Sequence, residues 1–549
     1  MSNSQYMRVP MNTHPNYGSV HGHHDEEDPN SYYYSALSDG SAPGSPDSRP
    51  RSIRDAVESF AGSYSRASAL YVAENLTLPP NAVLSNPPTI HDADQFDDEE
   101  QSKTNLVDPH ALDRLPSQQS TGYHLFPSLS RHTTVASVLS QQFPPSQLPQ
   151  RSTFVQSVFN SVNVLVGIGI LALPLGFRCA GWLAGSAIFL FCSFGTNYTA
   201  KLLARCLDAY PGAVTYGDMG AAAFGDRGRT FVSSIFIVEL MTIGVAMVVL
   251  LGDGIQSLFR SMSMLTIRLI SFSVLTPMLF LPIRKLAYTS LIGIISCACL
   301  VVIVIVDGLS KKTQPGSLWD PMETEIIPSD PYNIPLTFGL IMAGFSGHAV
   351  FPAIYRDMDE PKKYEKMVDI TYVLTMGVYI VMAVAGYTMF GLETMQEITQ
   401  NLANTPGYNK LLNHLAVWLI VLTPIAKYGL MMNPINLTWE LWITSRPSID
   451  AWSKFHPWRK NFLSTVGRIM ISALVIYIAT VFPGFDRVMS LLGALFSFGI
   501  SAIFPLACYR RLYGHNFTRV ESAINWFLLF VASGMAILGT VWSFLPNDL

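Results

Sequence analysis

Charge is scarce in this sequence. Asp, Glu, Lys and Arg make up 13% of its 549 residues, about half the share usual for a soluble protein. That shortage argues against a string of soluble domains. Cysteine is scarcer still, six in the whole chain, which excludes a dense disulfide scaffold. Signatures of common enzyme sites are missing too. There is no Gly-x-x-x-x-Gly-Lys-Ser/Thr phosphate loop, no Cys-x-x-Cys pair, no His-Glu-x-x-His and no Gly-x-Ser-x-Gly elbow. No enzyme activity, catalytic residue, metal site or cofactor is therefore expected.

What is abundant is apolar. Hydrophobic residues reach 49% and aromatics 11% of the chain. The net charge of −4 hides two unlike parts. Residues 1–150 carry 8 Lys/Arg and 17 Asp/Glu, and residues 151–549 carry the remaining 27 and 22. An acidic tail on a slightly basic, hydrophobic body speaks against nucleic-acid binding. It describes an all-α polytopic membrane protein with an N-terminal extension.

The tail, 1–150, is rich in Ser, Pro, Asn, Gln and Tyr and has an acidic run from Asp92 to Glu100. Such a composition cannot bury enough apolar surface to offset its ordering entropy, so disorder is expected there. It lacks the basic start and apolar core of a cleaved secretory signal. Within it, Ile53, Val57, Phe60, Tyr64, Ala67 and Tyr71 recur at helical spacing. The stretch 52–76 reads as an amphipathic helix, either fraying in solvent or docking on the body.

From Phe154 onward, residues 151–549 supply eleven stretches that each suffice for a membrane crossing of about 20 residues. They lie near 154–177, 181–204, 230–252, 264–282, 286–307, 333–354, 367–390, 411–433, 463–482, 487–508 and 521–544. On this count Lys and Arg gather on the tail's side, where seventeen fall, among them Arg356, Lys362, Lys363, Lys366, Arg459, Lys460, Arg510 and Arg511. The other side holds only seven: Arg178, Arg260, Arg268, Lys311, Lys312, Lys410 and Arg487. The bias places the tail in the cytosol and the C-terminus on the far side.

Two of the eleven stretches carry matching interruptions. Span 1 contains Asn163, then Gly167-Ile168-Gly169-Ile170, then Pro174. Span 6 contains Gly344-Phe-Ser346-Gly347-His348 and then Pro352. In each, two glycines precede a proline that follows the second glycine by five positions. Glycine weakens a helix and proline removes a donor, so both spans are expected to unwind in mid-membrane. Unwound backbone is tolerated at that depth only where it lines a cavity or is buried in protein. Interrupted helices at corresponding places in two halves point to an inverted-repeat transporter. Freed N–H groups suit a carboxylate and freed C=O groups suit an ammonium. A zwitterionic amino acid carries both. The expected binding residues are Asn163, Gly167, Ile168, Gly169, Ile170, Gly344, Ser346 and Gly347. The alternative is a pair of kinked, close-packed helices.

With these motifs and Ile237-Val-Glu239-Leu-Met-Thr in span 3, the chain from Ser152 on resembles the amino acid/auxin permease superfamily. Within it the chain is similar to fungal vacuolar and vesicular inhibitory amino acid transporters. The resemblance implies a five-plus-five inverted repeat with one extra helix. It also implies proton-coupled amino acid exchange across the membrane of an acidic organelle, the vacuole. The expected partners are an amino acid, protons, the lipid bilayer and cytosolic regulators of the tail.

Three ionisable residues lie inside spans, where charge is costly and so marks function by default. Glu239, among Ile, Val, Leu and Met, is a candidate proton carrier or a structural hydrogen-bond partner. Lys427 follows Pro424 in span 8. In sodium-coupled carriers of this architecture spans 1 and 8 form a cation site, and an ammonium there would replace sodium, so sodium is not expected. Otherwise Lys427 snorkels toward the cytosolic end. His348 can change charge near organelle pH or hold a freed carbonyl. Two rival functions remain: a plasma-membrane or efflux symporter, and an amino acid sensor that signals through its tail.

Overall fold

The computed structural model describes Ser63 and residues 151–545, apart from 210–214, 483 and part of 445–457. The acidic tail and the 52–76 stretch lie outside the described residues, Ser63 excepted. Among the described residues there is no β-strand, only an isolated parallel bridge between Ser152 and Met358.

The helices, in chain order, begin with α1 (Phe154–Leu165), a 3-10 turn (Ile168–Ala172), α2 (Leu173–Asp208) and α3 (Tyr216–Leu258). Then come α4 (Met264–Leu275), α5 (Ile283–Ser310), α6 (Ile334–Met342), a 3-10 turn (Ala343–Phe345) and α7 (Phe351–Asp357). The second half holds α8 (Tyr364–Phe390), α9 (Ile398–Asn404), α10 (Lys410–Thr444), α11 (Trp458–Val481) and α12 (Phe485–Leu491). The path of α12 continues through π-helical turns at Leu492–Ser497 and Gly499–Ile503 into α13 (Phe504–Tyr513), and α14 (Arg519–Phe544) follows.

Local sequence explains where several of these begin. Thr153, Thr215 and Thr518 each cap a helix, and Gln156, Asp218 and Glu521 reach back to the capping backbone N–H. Each reciprocal pair satisfies two donors that a helix start leaves open. Arg229 adds an ion pair to Asp218 at 3.0 Å.

Eight helical stretches among the described residues are long and apolar enough to cross a membrane. The 41-residue stretch Ile168–Asp208 is twice the length one crossing needs. It bends at Gly181, whose φ of +67° belongs to the left-handed region that glycine adopts without strain. The apolar helix over Met264–Phe280 is shorter. The stretches read from sequence as spans 1 and 6 are built from pieces, which is why neither counts as one long helix.

Large apolar side chains on the outer faces are exposed, Phe530 at 80% and Leu265 at 69%. In water such faces would be a liability; against lipid they are the expected surface. Inside the bundle polar groups pair with one another. Thr276 and Ser472 hydroxyls lie 2.8 Å apart, and Arg468 donates to Glu440 through Nε at 2.9 Å. Helix α10 packs against α5 and α3, and α2 against α6 and α8. Both interrupted helices join this packing, α6 against α2 and α1 against α8.

Candidate functional site

Both interruptions are real breaks in the helical backbone. Helix α1 ends at Leu165. Val166 (ψ 89°) and Gly167 (φ −125°, ψ −150°) leave the helical region before the 3-10 turn resumes at Ile168. In the second break α6 ends at Met342, the turn 343–345 tightens, and Ser346 is extended (ψ 110°) before α7 starts at Phe351. The prolines do not sit where the chain unwinds. Pro174 and Pro352 each occupy the first turn of the helix that restarts after the break, a position where the missing N–H costs nothing.

The two breaks touch. Gly169 packs so closely on Gly344 that a Cβ on the former would meet the latter's backbone. A tyrosine ties them further: the hydroxyl of Tyr379 on α8 lies 2.7 Å from Leu165 O and 2.6 Å from Gly344 O, sharing its one proton between the two carbonyls. Those carbonyls are freed by the two unwindings, and one side chain covers both. Tyr379 is fully buried. Nothing in its local sequence marks it, because its partners are distant in the chain.

Beside the breaks lies a cavity of about 100 Å³. Asn163, Gly167, Ile168 and Gly169 line it from the first break, and Ser346, Gly347 and His348 from the second. Glu239 enters from α3 and Lys427 from α10. The remaining wall is apolar and includes Phe236, Leu240, Ile243, Met247, Met431, Met489, Leu492 and Ile500. Of the residues expected to bind substrate, Ile170 is fully buried and is not among the lining residues. Gly344 stands behind Gly169. The Gly344 carbonyl already accepts from Tyr379, and that of Gly347 accepts from Val350 N at 3.0 Å. An ammonium at either would use the second lone pair.

The three ionisable residues occupy different parts of this site. Glu239 is 3% exposed, and its Oε1 accepts from Ser346 Oγ at 3.0 Å. The carboxyl of α3 is thereby joined to the extended residue of the second break. Lys427 is 4% exposed and its Nζ lies 3.4 Å from Val166 O, the carbonyl at the first break. Its stem fills the space beside Gly293 of α5, where a Cβ would fall 2.9 Å from Lys427 Cε. This lysine is held inside the bundle rather than reaching for its edge.

His348 faces α2. Its Nε2 lies 3.1 Å from Thr196 O and 2.9 Å from Thr199 Oγ1. A backbone carbonyl only accepts, so Nε2 is the nitrogen that carries hydrogen. Thr199 in turn donates to Ser501 O at 2.6 Å. The ring therefore bonds to α2, and through Thr199 to the π-helical stretch. Asn163 presents an amide whose nitrogen and oxygen both lack a protein partner. A buried amide in that state has its bonding capacity free for water or a ligand. Among the described residues no group of three or more His, Cys, Asp and Glu is arranged to hold a metal ion.

Known proteins resemble this chain. Residues 150–545 match the family described as transmembrane amino acid transporter protein. Amino acid transporter AVT1D of Arabidopsis thaliana is 31% identical over 401 residues, covering 70% of this chain and 68% of that protein. AVT1E from the same plant is 32% identical over 406 residues, 71% of this chain and 72% of that one. Amino acid transporter ANT1 is 26% identical over 415 residues, 72% and 94% respectively. The broken helices, the cavity between them and the matched region coincide, and the chain is a multi-pass membrane protein of the transmembrane amino acid transporter family, not an enzyme.

Proposed function

We propose that this transporter exchanges protons for neutral amino acids across the vacuolar membrane, loading the lumen, with its N-terminus in the cytosol. The single observation that carries the reading is the 3.0 Å bond from Ser346 Oγ to Glu239 Oε1. It links a group that can gain and lose a proton to backbone that must also hold substrate. A change of protonation at Glu239 alters what Ser346 does at the break, and that is the minimum requirement for coupling.

Substrate binding follows from the two interruptions. The carboxylate lies against N–H groups around Gly167–Ile170, where the dipole of the restarting helix favours negative charge. The ammonium lies along the backbone Gly344–Gly347, around the extended Ser346. Asn163, with its free amide, is poised for either end. The side chain meets Phe236, Leu240, Met247, Met431 and Met489, a wall suited to neutral groups. Lys427, near the Val166 carbonyl, stands where a sodium-coupled carrier of this architecture would hold its ion, so transport proceeds without sodium.

The architecture under this reading is eleven crossings, two inverted sets of five plus one. One bundle rocks against the other to alternate access. One pH unit corresponds to about 1.36 kcal/mol. Two units across the membrane would therefore support a concentration ratio of about a hundredfold per proton exchanged. Uptake of a panel of radiolabelled amino acids into acidified vesicles, with and without a proton ionophore, tests the proposal. Uptake that survives the ionophore would rule out coupling. Glu239→Gln is expected to retain substrate binding and lose the response to the pH gradient. A fully gradient-driven Glu239→Gln carrier would remove that residue from the mechanism.

A further inference from the structure

A second cavity, of about 440 Å³, is more than four times the size of the one beside the breaks, about 100 Å³. Helix α3 runs past both. Met247 lines the central cavity and Asp253 the second, and six residues of helix separate the two by about 9 Å. The first break also leads from one to the other. Gly169 lines the central cavity, the chain continues through the buried turn Ile168–Ala172, and Leu175 and Arg178 at the start of α2 line the second. The segment between α8 and α9, with Met395, completes the wall together with Gln400 and Gly484. Space of this size suits a small organic ligand.

Opposite charges line this cavity, and neither is spent on the other. Arg178 donates through Nη1 to Thr394 O at 2.8 Å, which uses one of its five N–H groups. Among the described residues neither Arg178 nor Asp253 forms an ion pair. The charge on Asp253 is supported by groups that do not line the cavity. Arg268, 2% exposed, places positive charge near Asp253 and is anchored by Nη1 to Val248 O at 3.0 Å. Glu397, 1% exposed, is hydrogen-bonded with Asp253. Burial and the charge of Asp253 favour the protonated form of Glu397, so Glu397 gives the proton and Asp253 is the anion of the pair. Two further carboxyls stand near: Glu393 on the wall, and Asp486 beside Gly484.

We propose that this cavity is a second amino acid site, toward the membrane face opposite the tail, in which Arg178 holds the carboxylate and Asp253 the ammonium of a neutral amino acid. The proposal rests on the topology of the proposed function, which puts Arg178, the start of 391–410 and Gly484 at that end of the bundle. Recognition here differs in kind from that at the breaks. Charged side chains grip the ligand through charge-assisted hydrogen bonds, whereas the central cavity offers backbone dipoles. A substrate that leaves the breaks along α3 meets this site next. A ligand with only one charged end satisfies only half of it.

The test uses the purified full-length protein with one reporter, Met395→Cys. Met395 lines the cavity and is 39% exposed, so a maleimide in solution reaches position 395; the unmodified chain is the labelling control. Leucine at about 10 mM is expected to slow labelling at least about threefold, the factor for a dissociation constant of about 5 mM. Isocaproate, which lacks the amine, and isopentylamine, which lacks the carboxylate, are expected to leave the rate unchanged at the same concentration. Adding Arg178→Gln or Asp253→Asn is expected to abolish protection by leucine while the rate without leucine stays the same. Adding Met247→Trp, which fills the central cavity, is expected to stop uptake and leave the protection intact. Absence of protection by leucine would overturn the site, as would equal protection by either one-charge analogue. Protection that survives both Arg178→Gln and Asp253→Asn would remove those residues, and loss of protection in a monodisperse Met247→Trp protein would assign the effect to the central cavity. Uptake by the same chain in vesicles is measured alongside. Uptake indifferent to the pH gradient would sink the coupling reading and leave the labelling result standing, whereas gradient-driven uptake without protection would sink the second site alone.

Discussion

Gly169 and Gly344 meet backbone to backbone. A Cβ built on Gly169 falls 2.9 Å from the Cα of Gly344 and 3.0 Å from its nitrogen. No side-chain rotation relieves such a clash, because both partners are main chain. Overpacking of this kind costs about 1–3 kcal/mol, here at the contact between the two breaks. Gly169→Ala is expected to reach the membrane in reduced amount and to transport at a small fraction of the normal rate per folded molecule. Uptake normalised to the monodisperse fraction by fluorescence-detected chromatography measures this.

Tyr379 offers a cleaner perturbation. Replacing it by Phe keeps the ring, which packs edge-on to Phe345 at 5.3 Å, and deletes the donor that serves Leu165 O and Gly344 O. Leaving buried acceptors unserved costs about 1–3 kcal/mol. Tyr379→Phe is expected to fold and to transport at least about tenfold more slowly, that factor being ~1.4 kcal/mol of barrier. Initial rates over a range of substrate concentrations would separate weakened binding from slowed turnover. Normal kinetics would show that the bridge is dispensable.

Lys427 predicts an ion dependence. With its ammonium at the Val166 carbonyl, exchange of external sodium for choline is expected to leave uptake unchanged. Lys427→Ala removes both the charge and the stem that fills the space beside Gly293. It is expected to lower uptake about tenfold or more, the effect of ~1.4 kcal/mol or greater at the barrier. Sodium stimulation of the unmodified protein would contradict the assignment.

Glu397, in the segment before α9, is 1% exposed. Burial first, then the negative charge of Asp253 and a hydrogen bond with it, hold its pKa well above the ordinary value of 4.5. The protonated form is favoured in the fold, so its contribution to stability is complete below pH 4.5 and declines as pH rises through the folded-state value. Glu397→Gln keeps the shape and removes the proton. The melting temperature of the purified variant is expected to exceed that of the unmodified protein at neutral pH, with the gap closing at pH 4. A gap that widens on acidification would show the sign to be reversed.

How much of this could be read from the letters depends on the range of each interaction. The paired glycines at 167/169 and 344/347 announce themselves because loss of a side chain acts locally on backbone freedom. The prolines were informative for a different reason than expected. Pro174 and Pro352 do not unwind the chain; they seed the next helical turn, and sequence alone does not distinguish a breaker from a starter. Glu239 stood out because a carboxyl among Ile, Val and Leu is expensive. Its partner Ser346 was legible only as part of the break. Tyr379 was invisible, since its role consists of two carbonyls, one 214 residues away. Crossings that bend or break, at Gly181, Val166 and Ser346, were harder to delimit than straight ones because hydropathy averages over the discontinuity.

The bend at Gly181 has a consequence for the segment that crosses over it. Helix α2 cannot supply carbonyls for the N–H groups of Trp182 and Leu183 there. The connection between α5 and α6 supplies them instead, from Glu325 at 3.0 Å and Ile326 at 2.9 Å. The connector acts as a splint through its main chain alone, and the Ile326 side chain points outward at 70% exposure. Residue identity at 325 and 326 is therefore open to drift while the spacing is not. Removing one residue between Asp320 and Pro328 would shift the splint off its helix, whereas exchanging its side chains would leave the angle of α2 intact.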